Sequence, residues 1–308
     1  MAHKIFIDGE AGTTGLQIRD RLQLRDDIRL IQLDADRRKD PTARREAFAQ
    51  ADIGILCLPD EAAKEAVALT AGMDVRLIDA SSAHRVDDRW VFGFAELSSD
   101  LRDQIAEARY VSNPGCYASG AIAILSPLVD AGLIYDDEAL SINAVSGYTG
   151  GGKALIAEYE DEGAPAHFLY ALNQHHKHIP EIMVQSGLTT RPIFSPAVGN
   201  FAQGMAVQIP LRLDDDRRID SLHDALSDHY SGQNFVRVVT AEQIGSRIVP
   251  TDVNGTNVLR ISVHGDEANG CATVVAVLDN LGKGASGAAV QNMNIMLDLD
   301  ETAGLSAD

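Results

Sequence analysis

The first 80 residues alternate between predicted strands and predicted helices, and this pattern constrains the fold more than any other feature of the chain. The strand segments are short, nearly continuous apolar runs, as expected where helices cover both faces of a sheet. Strands are expected at residues 4–8, 29–33, 53–58 and 76–79, and helices at 12–24, 44–50 and 61–71. Such alternation is typical of βαβ units, so we predict a parallel sheet for this part of the chain.

Strands dominate the chain after residue 116, where the pattern favours a second, α+β domain. Helices are expected at 118–131, ending at Gly132, and at 154–162, after a glycine-rich turn at 146–153. Strands are expected at 139–145, 206–213, 234–239, 257–264 and 271–278, with a helix at 219–229, a hairpin turn at 266–270 and a final helix at 285–299. We therefore predict an α/β protein in which the second domain has a mostly antiparallel sheet.

The composition limits the partners and the compartment. The chain has 308 residues, 45% of them hydrophobic, which suggests two domains. A net charge of −19 argues against nucleic acid or an anionic membrane surface as a partner. No apolar stretch reaches the length of a membrane span, and the N-terminus lacks a signal-peptide pattern. The three cysteines, at 57, 116 and 271, cannot all pair and lack metal-site spacing, so we expect a reducing, cytoplasmic location.

Three glycines follow the first predicted strand at a spacing of three residues. Gly9, Gly12 and Gly15 stand where a strand passes into a helix, as in Rossmann-type nucleotide-binding domains. Glycine lets the backbone approach a pyrophosphate, and the helix N-terminus supplies N–H donors and a partial positive charge. The spacing is not the strict G-x-G-x-x-G, so a tight turn without a ligand remains the alternative.

Charged residues after the second predicted strand bear on the choice of cofactor. Asp34 closes that strand, where an acidic residue commonly binds the ribose diol of NAD. Arg37, Arg38 and Lys39 follow, and three consecutive cations in so acidic a chain suit a 2′-phosphate. We therefore favour NADP over NAD, the alternative being an ordinary solvated loop.

Cys116 has turn residues on one side and a predicted helix on the other. The preceding Asn-Pro-Gly places its thiol at a helix start, where N–H groups and the helix dipole favour the thiolate. A thiolate is the nucleophile that a thioester mechanism needs. Cys57 and Cys271 lie in apolar runs that indicate strands, and a small buried side chain is the alternative for any free cysteine.

Three of the nine histidines lie in one short segment, 174–182. His175, His176 and His178 stand just before Pro180, which can occupy the first turn of a helix. A base or a cationic partner for a cysteine nucleophile is expected from such a segment. Metal binding is a rival interpretation, weakened by the absence of a nearby cysteine and by Lys177, and a surface loop is another. We expect no metal site.

Five motifs then stand in one order along nearly the whole chain. They are Gly9-x-x-Gly12-x-x-Gly15, Asp79-Ala-Ser-Ser-Ala-His-Arg85, Ser112-Asn-Pro-Gly-Cys-Tyr117, His176-Lys-His-Ile-Pro-Glu-Ile182 and Asp279-Asn-Leu-Gly-Lys-Gly-Ala-Ser-Gly287. With them the chain resembles the N-acetyl-gamma-glutamyl-phosphate reductases of arginine biosynthesis, in their shorter length class, which are related to aspartate-semialdehyde dehydrogenase. It departs from the commoner pattern at Lys153, where long forms usually carry arginine, and around His84.

The resemblance implies a dinucleotide-binding domain at 1–115, joined by a C-terminal helix at 281–308, and a catalytic and oligomerisation domain at 116–280. It implies a homodimer or homotetramer that acts on a small molecule. In the implied reaction Cys116 attacks the acyl phosphate, phosphate leaves, NADPH reduces the thioester, and His176, or second His178, transfers the proton. The residues and the resemblance together assign Cys116, His176 and His178 to catalysis, Gly9, Gly12, Thr13, Thr14, Gly15, Arg37, Arg38, Ser81, Asn280 and Gly284 to the cofactor, and Arg85, Asn113, Gly147 and Lys153 to the substrate.

Three alternatives stay open. Arg85 suits an anionic substrate group as a bidentate guanidinium, but it also suits a structural ion pair. An enzyme closer to aspartate-semialdehyde dehydrogenase is a second possibility, opposed by the Pro-Gly before Cys116. A nucleotide-binding regulator without catalysis is a third, opposed by the intact cysteine and the histidine segment.

Overall fold

The computed structural model describes residues 2–161 and 164–308, and the chain forms two compact units. The first unit runs to Gly115 and also contains Ala285–Leu305, whereas the second comprises Cys116–Gly284 and Ser306–Asp308. The segment 281–308 was expected to join the first unit throughout, but its two ends cluster with the second. The main chain accounts for both ends, because Gly284 N–H donates to Asp279 O at 2.9 Å and Asn257 N–H donates to Ser306 O at 2.7 Å.

The first unit is built on a parallel sheet whose strand order is β2-β1-β3-β4-β6-β5. Its strands are β1 (His3–Asp8), β2 (Ile28–Ile31), β3 (Ile53–Leu56), β4 (Arg76–Asp79), β5 (Val91–Phe92) and β6 (Tyr110–Ser112). Its helices up to that point are α1 (Thr13–Leu22), α2 (Pro41–Gln50), α3 (Asp60–Leu69) and α4 (Ser99–Glu107). Every neighbouring pair among these strands is parallel, so the predicted parallel sheet is confirmed.

Local sequence explains most of these elements. All four residues of β3 are buried, as its apolar run predicts. Helix α2 begins after Asp40, whose side chain accepts hydrogen bonds from the main-chain N–H groups of Thr42 and Ala43, and Pro41 is its first residue. The predicted strands and helices of this region are confirmed to within a few residues. The structure adds β5, α4 and β6, of which the two strands are too short to leave a clear apolar pattern.

The second unit contains a seven-stranded mixed sheet in the order β11-β12-β13-β10-β7-β9-β8. Its helices are α5 (Cys116–Asp130), α6 (Gly152–Glu160), α7 (Ile179–Gln185), α8 (Ile219–His229) and α9 (Ala241–Ile244). Its strands are β7 (Ser141–Gly147), β8 (His167–Leu169), β9 (Ile193–Gly199), β10 (Met205–Arg212), β11 (Val236–Val239), β12 (Leu259–Asp266) and β13 (Cys271–Leu278). Four neighbouring pairs are antiparallel and two, β11–β12 and β7–β9, are parallel, so the mostly antiparallel sheet is confirmed.

Sequence and structure agree closely on several elements here. The bounds of α8 and β13 are those predicted, and the hairpin turn at 266–270 is formed by Asp266, whose side chain accepts from two following N–H groups. The helix expected at 154–162 begins at Gly152, and residue 162 lies outside the described residues. The sequence did not predict β8, β9 or α9. Among the described residues, no helix combines the length and the apolar character needed to cross a lipid bilayer.

The last helix, α10 (Gly287–Met296), packs in the first unit. Its Val290 and Met293 are fully buried in the same apolar cluster as Ile5 and Ile53 of the central strands. The side chain of Asn292 donates to Gly93 O at 2.9 Å, which ties the helix to the loop after β5. The chain therefore returns to the parallel sheet of the first unit after the residues of the second unit.

Candidate active site

Cys116 is the first residue of α5 and also the first residue of the second unit. It is half-buried, while the helix behind it from Tyr117 to Leu125 is buried. The thiol therefore stands at the N-terminus of a 15-residue helix, where main-chain N–H groups and the helix dipole favour a thiolate. The helix start expected at Cys116 is present in the structure.

Gly284 packs directly against Cys116. A Cβ atom at position 284 would lie 2.9 Å from the Cβ of Cys116, closer than carbon atoms approach. The neighbouring Asn280 is held by its own side chain, which accepts from Gly204 N–H at 2.8 Å and donates to Thr149 Oγ1 at 3.1 Å. Gly284 and Asn280, both expected to bind the cofactor, belong to the second unit, and Gly284 is the one that contacts the cysteine.

The histidine segment lies beside the start of α5, and Tyr117 joins the two. The Tyr117 ring is buried, with its centroid 5.8 Å from that of His176 and 5.9 Å from that of His178. Its hydroxyl donates to Ala197 O at 2.9 Å, which anchors the ring on β9. The residue that follows the nucleophile thus packs against both candidate bases.

His176 has a hydrogen bond at each ring nitrogen. Its Nδ1 accepts from the main-chain N–H of His178 at 3.1 Å, and its Nε2 lies 3.3 Å from the Tyr170 hydroxyl. Burial raises the pKa of Tyr170 to about 12, its hydrogen bond with Tyr117 lowers it, and the negative charge of Cys116 raises it further. Tyr170 therefore contacts His176 through its hydroxyl and interacts electrostatically with Cys116.

Gln174 pins the loop that carries these histidines. Its side chain donates to Phe194 O at 3.1 Å and accepts from Phe194 N–H at 2.9 Å, so it pairs with β9 as a strand would. Its own φ is +60°, in the left-handed region that residues with a side chain rarely adopt. The side-chain hydrogen bonds hold this residue, two positions before His176, against β9.

Arg85 and Asn113 are buried in the first unit, engaged with neighbouring main chain. Arg85 donates from Nε to Asn113 O at 3.0 Å and from NH2 to Ala80 O at 3.2 Å. The Asn113 side chain donates to Ala285 O at 2.9 Å and accepts from Asn292 at 3.2 Å. Both were expected to bind substrate, and in this structure both tie down the segment that precedes Cys116 in the chain.

The other expected substrate residues lie around the glycine-rich turn of the second unit. Gly147 is the buried last residue of β7, and its N–H donates to Gly204 O at 2.8 Å. Lys153 is exposed in the first turn of α6. The structure brings Gly147 near Asn280 through their shared contact with Gly204, and it leaves Lys153 on the surface.

A buried polar cluster follows β4. Asp79 accepts from Ser81 Oγ at 2.7 Å, and its Oδ2 lies 2.6 Å from His84 Nδ1. The His84 ring stacks on Trp90, with centroids 4.3 Å apart. His84 thereby resembles a structural histidine, and Ser81, an expected cofactor residue, is engaged with Asp79.

The glycine-rich loop of the first unit forms a cradle that fits a dinucleotide. Gly9 has a φ of +91°, and any Cβ there would collide with the main chain of Cys57, so only glycine fits. Gly12 caps α1, and Thr13, Thr14 and Gly15 form its first turn, which has no side-chain cap on its N–H groups. These donors and the adjoining cavity suit the pyrophosphate and adenosine ribose of NAD or NADP.

That cavity has a volume of about 560 Å³ and lies entirely within the first unit. Gly9 lines it, as do Arg38 and Lys39 of the basic run, together with Arg44. Arg37, also expected to bind the cofactor, is half-exposed, and its guanidinium lies 3.6 Å from Glu46. Of the three consecutive cations at 37–39, two therefore line the cavity.

The other two cysteines, Cys57 and Cys271, differ in their surroundings. Cys57 follows β3, and burial first, with Asp79 and Asp8 adding to it, raises the pKa of its thiol to about 12. Cys271 opens β13, and its sulfur lies 3.1 Å from an Arg212 guanidinium nitrogen. Within the described residues, no group of three or more His, Cys, Asp or Glu side chains is arranged to hold a metal ion.

Sequence reasoning missed Tyr170, Gln174 and Glu10. No local pattern marks Tyr170 or Gln174, because their contacts with His176 and Phe194 come from the fold of one irregular loop. Glu10 was visible as an acid inside the glycine-rich loop, but its contact with Arg38 depends on how the chain returns after β2.

Two family models match the chain. Residues 14–108 match the model described as semialdehyde dehydrogenase, NAD binding domain, and residues 116–280 match semialdehyde dehydrogenase, dimerisation domain. The second match begins at Cys116, where the second compact unit begins.

Related proteins are similar to this chain over nearly its full length. The chain is 52% identical to the N-acetyl-gamma-glutamyl-phosphate reductase of Brucella anthropi, over 96% of this chain and 99% of the relative, and equally to that of Brucella ovis. Aspartate semialdehyde dehydrogenase II of Vibrio cholerae has a TM-score of 0.72 at 16% identity, over 97% of this chain and 99% of that one. The Francisella tularensis enzyme gives 0.70 at 15% identity, over 96% and 100%. At such identities the solved structures are similar in fold alone.

Proposed function

Since the chain belongs to the N-acetyl-gamma-glutamyl-phosphate reductase family, an oxidoreductase family of arginine biosynthesis, we propose that it reduces N-acetyl-gamma-glutamyl phosphate with NADPH through a thioester on Cys116. The observation that carries the proposal is the placement of Cys116 at the first residue of a long helix, beside a tyrosine that packs on two histidines.

Cys116 supplies the covalent step. Its thiolate attacks the acyl carbon of the substrate, a C–S bond forms, and the C–O bond to phosphate breaks so that inorganic phosphate leaves. Main-chain N–H groups in the first turn of α5 are suitably placed to hold the oxyanion that forms during this attack. When the C–S bond later breaks, the semialdehyde is released and the thiolate returns.

The histidine pair moves the proton. A base needs a ring nitrogen with an available lone pair, and the Nδ1 of His176 already accepts from a main-chain N–H. We therefore favour His178, which is buried at the N-terminus of α7, for direct proton transfer, with His176 as its oriented neighbour. This reverses the order expected from the motif, and both residues remain assigned to the site.

The first unit would hold the cofactor. The loop at Gly9 and Gly12 and the first turn of α1 fit a pyrophosphate, and Arg38 and Lys39 of the cavity lining suit a 2′-phosphate. When bound, NADPH supplies the hydride that reduces the thioester. The chain's own contribution is to bind and orient the dinucleotide by its phosphates.

The remaining proposals concern assembly and compartment. We propose a homodimer or homotetramer, supported by the match of residues 116–280 to a family model described as a dimerisation domain. A reducing cytoplasm is supported by the cysteines, all three of which are thiols and within the described residues.

The test is a reverse-direction assay with N-acetylglutamate semialdehyde and phosphate, in which reduction of NADP and of NAD is followed separately. We expect turnover, faster with NADP, and a loss of at least about 10³-fold in Cys116→Ser, since that substitution removes the thiolate. Cys271→Ser is the matched control and should retain activity. No turnover with either cofactor would contradict the proposal, and turnover of aspartate semialdehyde alone would favour the related dehydrogenase.

A further inference from the structure

Glu10 places a fixed carboxylate inside the glycine-rich loop. Its side chain is 9% exposed, and its Oε1 lies 2.8 Å from a guanidinium nitrogen of Arg38. Gln32 donates to the other carboxylate oxygen at 3.4 Å. Arg38 differs, because its side chain is 41% exposed. The acid is thus the more buried member of this pair and the cation the more exposed one, although Arg38 Nε also donates to Leu33 O at 3.4 Å.

Both residues line the cavity of about 560 Å³, and the charges around that cavity nearly cancel. The lining carboxylates are Asp8, Glu10, Asp36 and Glu65, and the lining cations are Arg38, Lys39 and Arg44. Arg44 is already paired with Asp8, with the guanidinium nitrogen and the carboxylate oxygen 2.7 Å apart. With Arg38 paired to Glu10, the cavity offers a 2′-phosphate less positive charge than its three cations suggest.

We propose that Glu10 is a specificity-determining residue whose carboxylate competes with the 2′-phosphate of NADP for the Arg38 guanidinium, and so limits the preference for NADP over NAD. The inference rests on the proposed function, because it takes a nicotinamide dinucleotide to be the ligand of this cavity. Glu10 thereby reduces a preference for NADP that Arg37, Arg38 and Lys39 alone would make stronger.

Two anions, the Glu10 carboxylate and the 2′-phosphate, compete for one cation. A guanidinium binds carboxylate and phosphate in the same planar, bidentate manner, so it cannot serve both fully. The two anions also repel each other, and the repulsion is stronger where Glu10 is shielded from water. NAD has a neutral hydroxyl at this position, so its binding avoids both costs. Removing the charge of Glu10 should therefore strengthen NADP binding selectively.

The test is calorimetric titration of the full chain with NADP, NAD and 2′,5′-ADP, which requires no turnover. In Glu10→Gln, which keeps the size of the side chain, we expect the dissociation constants of NADP and 2′,5′-ADP to fall about tenfold, equivalent to about 1.4 kcal/mol. The constant for NAD should stay within about twofold of the wild type. The gain in affinity for NADP and 2′,5′-ADP should disappear when Glu10→Gln is combined with Arg38→Met, because the guanidinium is then absent.

Glu46→Gln is the matched control, since it removes a carboxylate from beside Arg37, and neither of those residues lines the cavity. It should leave all three constants unchanged. Unchanged NADP binding in Glu10→Gln, or an equal change for NADP and NAD, would overturn the inference. If Glu10→Gln does not fold, Glu10→Asp withdraws the carboxylate from Arg38 and should give a smaller gain in the same direction, and no gain would overturn the inference.

The same data separate the inference from the proposed function. A wild-type protein that binds NAD more tightly than NADP would contradict the proposed cofactor. The ratio of variant to wild-type affinity for 2′,5′-ADP would still decide the role of Glu10.

Discussion

The main-chain N–H of His178 donates a hydrogen bond to Nδ1 of His176, with the two nitrogen atoms 3.1 Å apart. A ring nitrogen that accepts this bond carries no proton, so neutral His176 is protonated at Nε2, the atom that faces Tyr170. The tautomer of one candidate acid–base residue is thus set by the backbone of the other. His176 and His178, separated by one residue, therefore differ in the hydrogen bonds that they make.

Tyr170→Phe should lower kcat about tenfold and leave KM within about twofold, because it frees the His176 ring without removing a substrate contact. Since the pKa of Tyr170 is raised to about 12, its hydroxyl stays protonated at working pH. Because Tyr170→Phe removes the hydroxyl that contacts His176 Nε2, the limb of the kcat–pH profile that depends on the histidine should change. Tyr135→Phe, at a tyrosine that is 61% exposed, is the control. A change confined to KM would argue for a role in substrate binding instead.

Gln174→Ala should lower kcat and make the 170–178 loop accessible to protease, because it removes both hydrogen bonds to Phe194. Each lost hydrogen bond costs about 1 kcal/mol of folding free energy, and the left-handed conformation at position 174 adds strain for alanine. Gln174→Gly relieves the strain but not the lost bonds, so it should be more stable than Gln174→Ala and still impaired in kcat. Wild-type activity in both variants would show that the loop holds its histidines without this anchor.

Arg85→Lys should lower the melting temperature and kcat while KM for phosphate changes little. Lysine cannot reproduce the two-directional donation of the buried guanidinium to Asn113 O and Ala80 O. Thermal unfolding and the reverse-direction KM for phosphate provide the measurement. A large rise in that KM at unchanged stability would instead support Arg85 as the ligand of an anionic substrate group.

Cys57 should resist alkylation by iodoacetamide at pH 8 in the native protein and react fully once the chain is unfolded. Burial raises the pKa of its thiol from 9.0 to about 12, so the native protein holds the proton that the unfolded chain releases. As pH rises through 9 towards 12, the unfolded chain loses this proton first, so the contribution of Cys57 to stability is lost over that range.

Peptide mass mapping gives the labelling, with Cys116, at its helix N-terminus, expected to react in the native state. Urea unfolding of the wild type and Cys57→Ala at increasing pH tests the linkage. The wild type should lose stability more steeply than the variant. Native labelling of Cys57, or parallel pH slopes, would contradict the prediction.

The sequence by itself determined the parallel sheet, the second sheet and the position of Cys116. Apolar runs, turn residues and helix starts are local patterns, and the bounds of α8 and β13 could be predicted because each is a single uninterrupted pattern. The helix start at Cys116 follows from Asn-Pro-Gly before it and a run of small and apolar residues after it. Short strands such as β5 and β8 escaped prediction because two or three residues form no periodic pattern.

Only the tertiary structure decided how the polar side chains are used. Arg85 has the charge of an anion-binding residue, yet it is buried against carbonyl groups that lie 28 and 5 residues away in the chain. Glu10 and Arg38, likewise 28 residues apart, meet because β1 and β2 are neighbours in the sheet. A charged side chain takes its role from the partners that folding brings to it, since burial makes an unpaired charge costly. Those partners are set by the packing of distant segments, which no local pattern encodes.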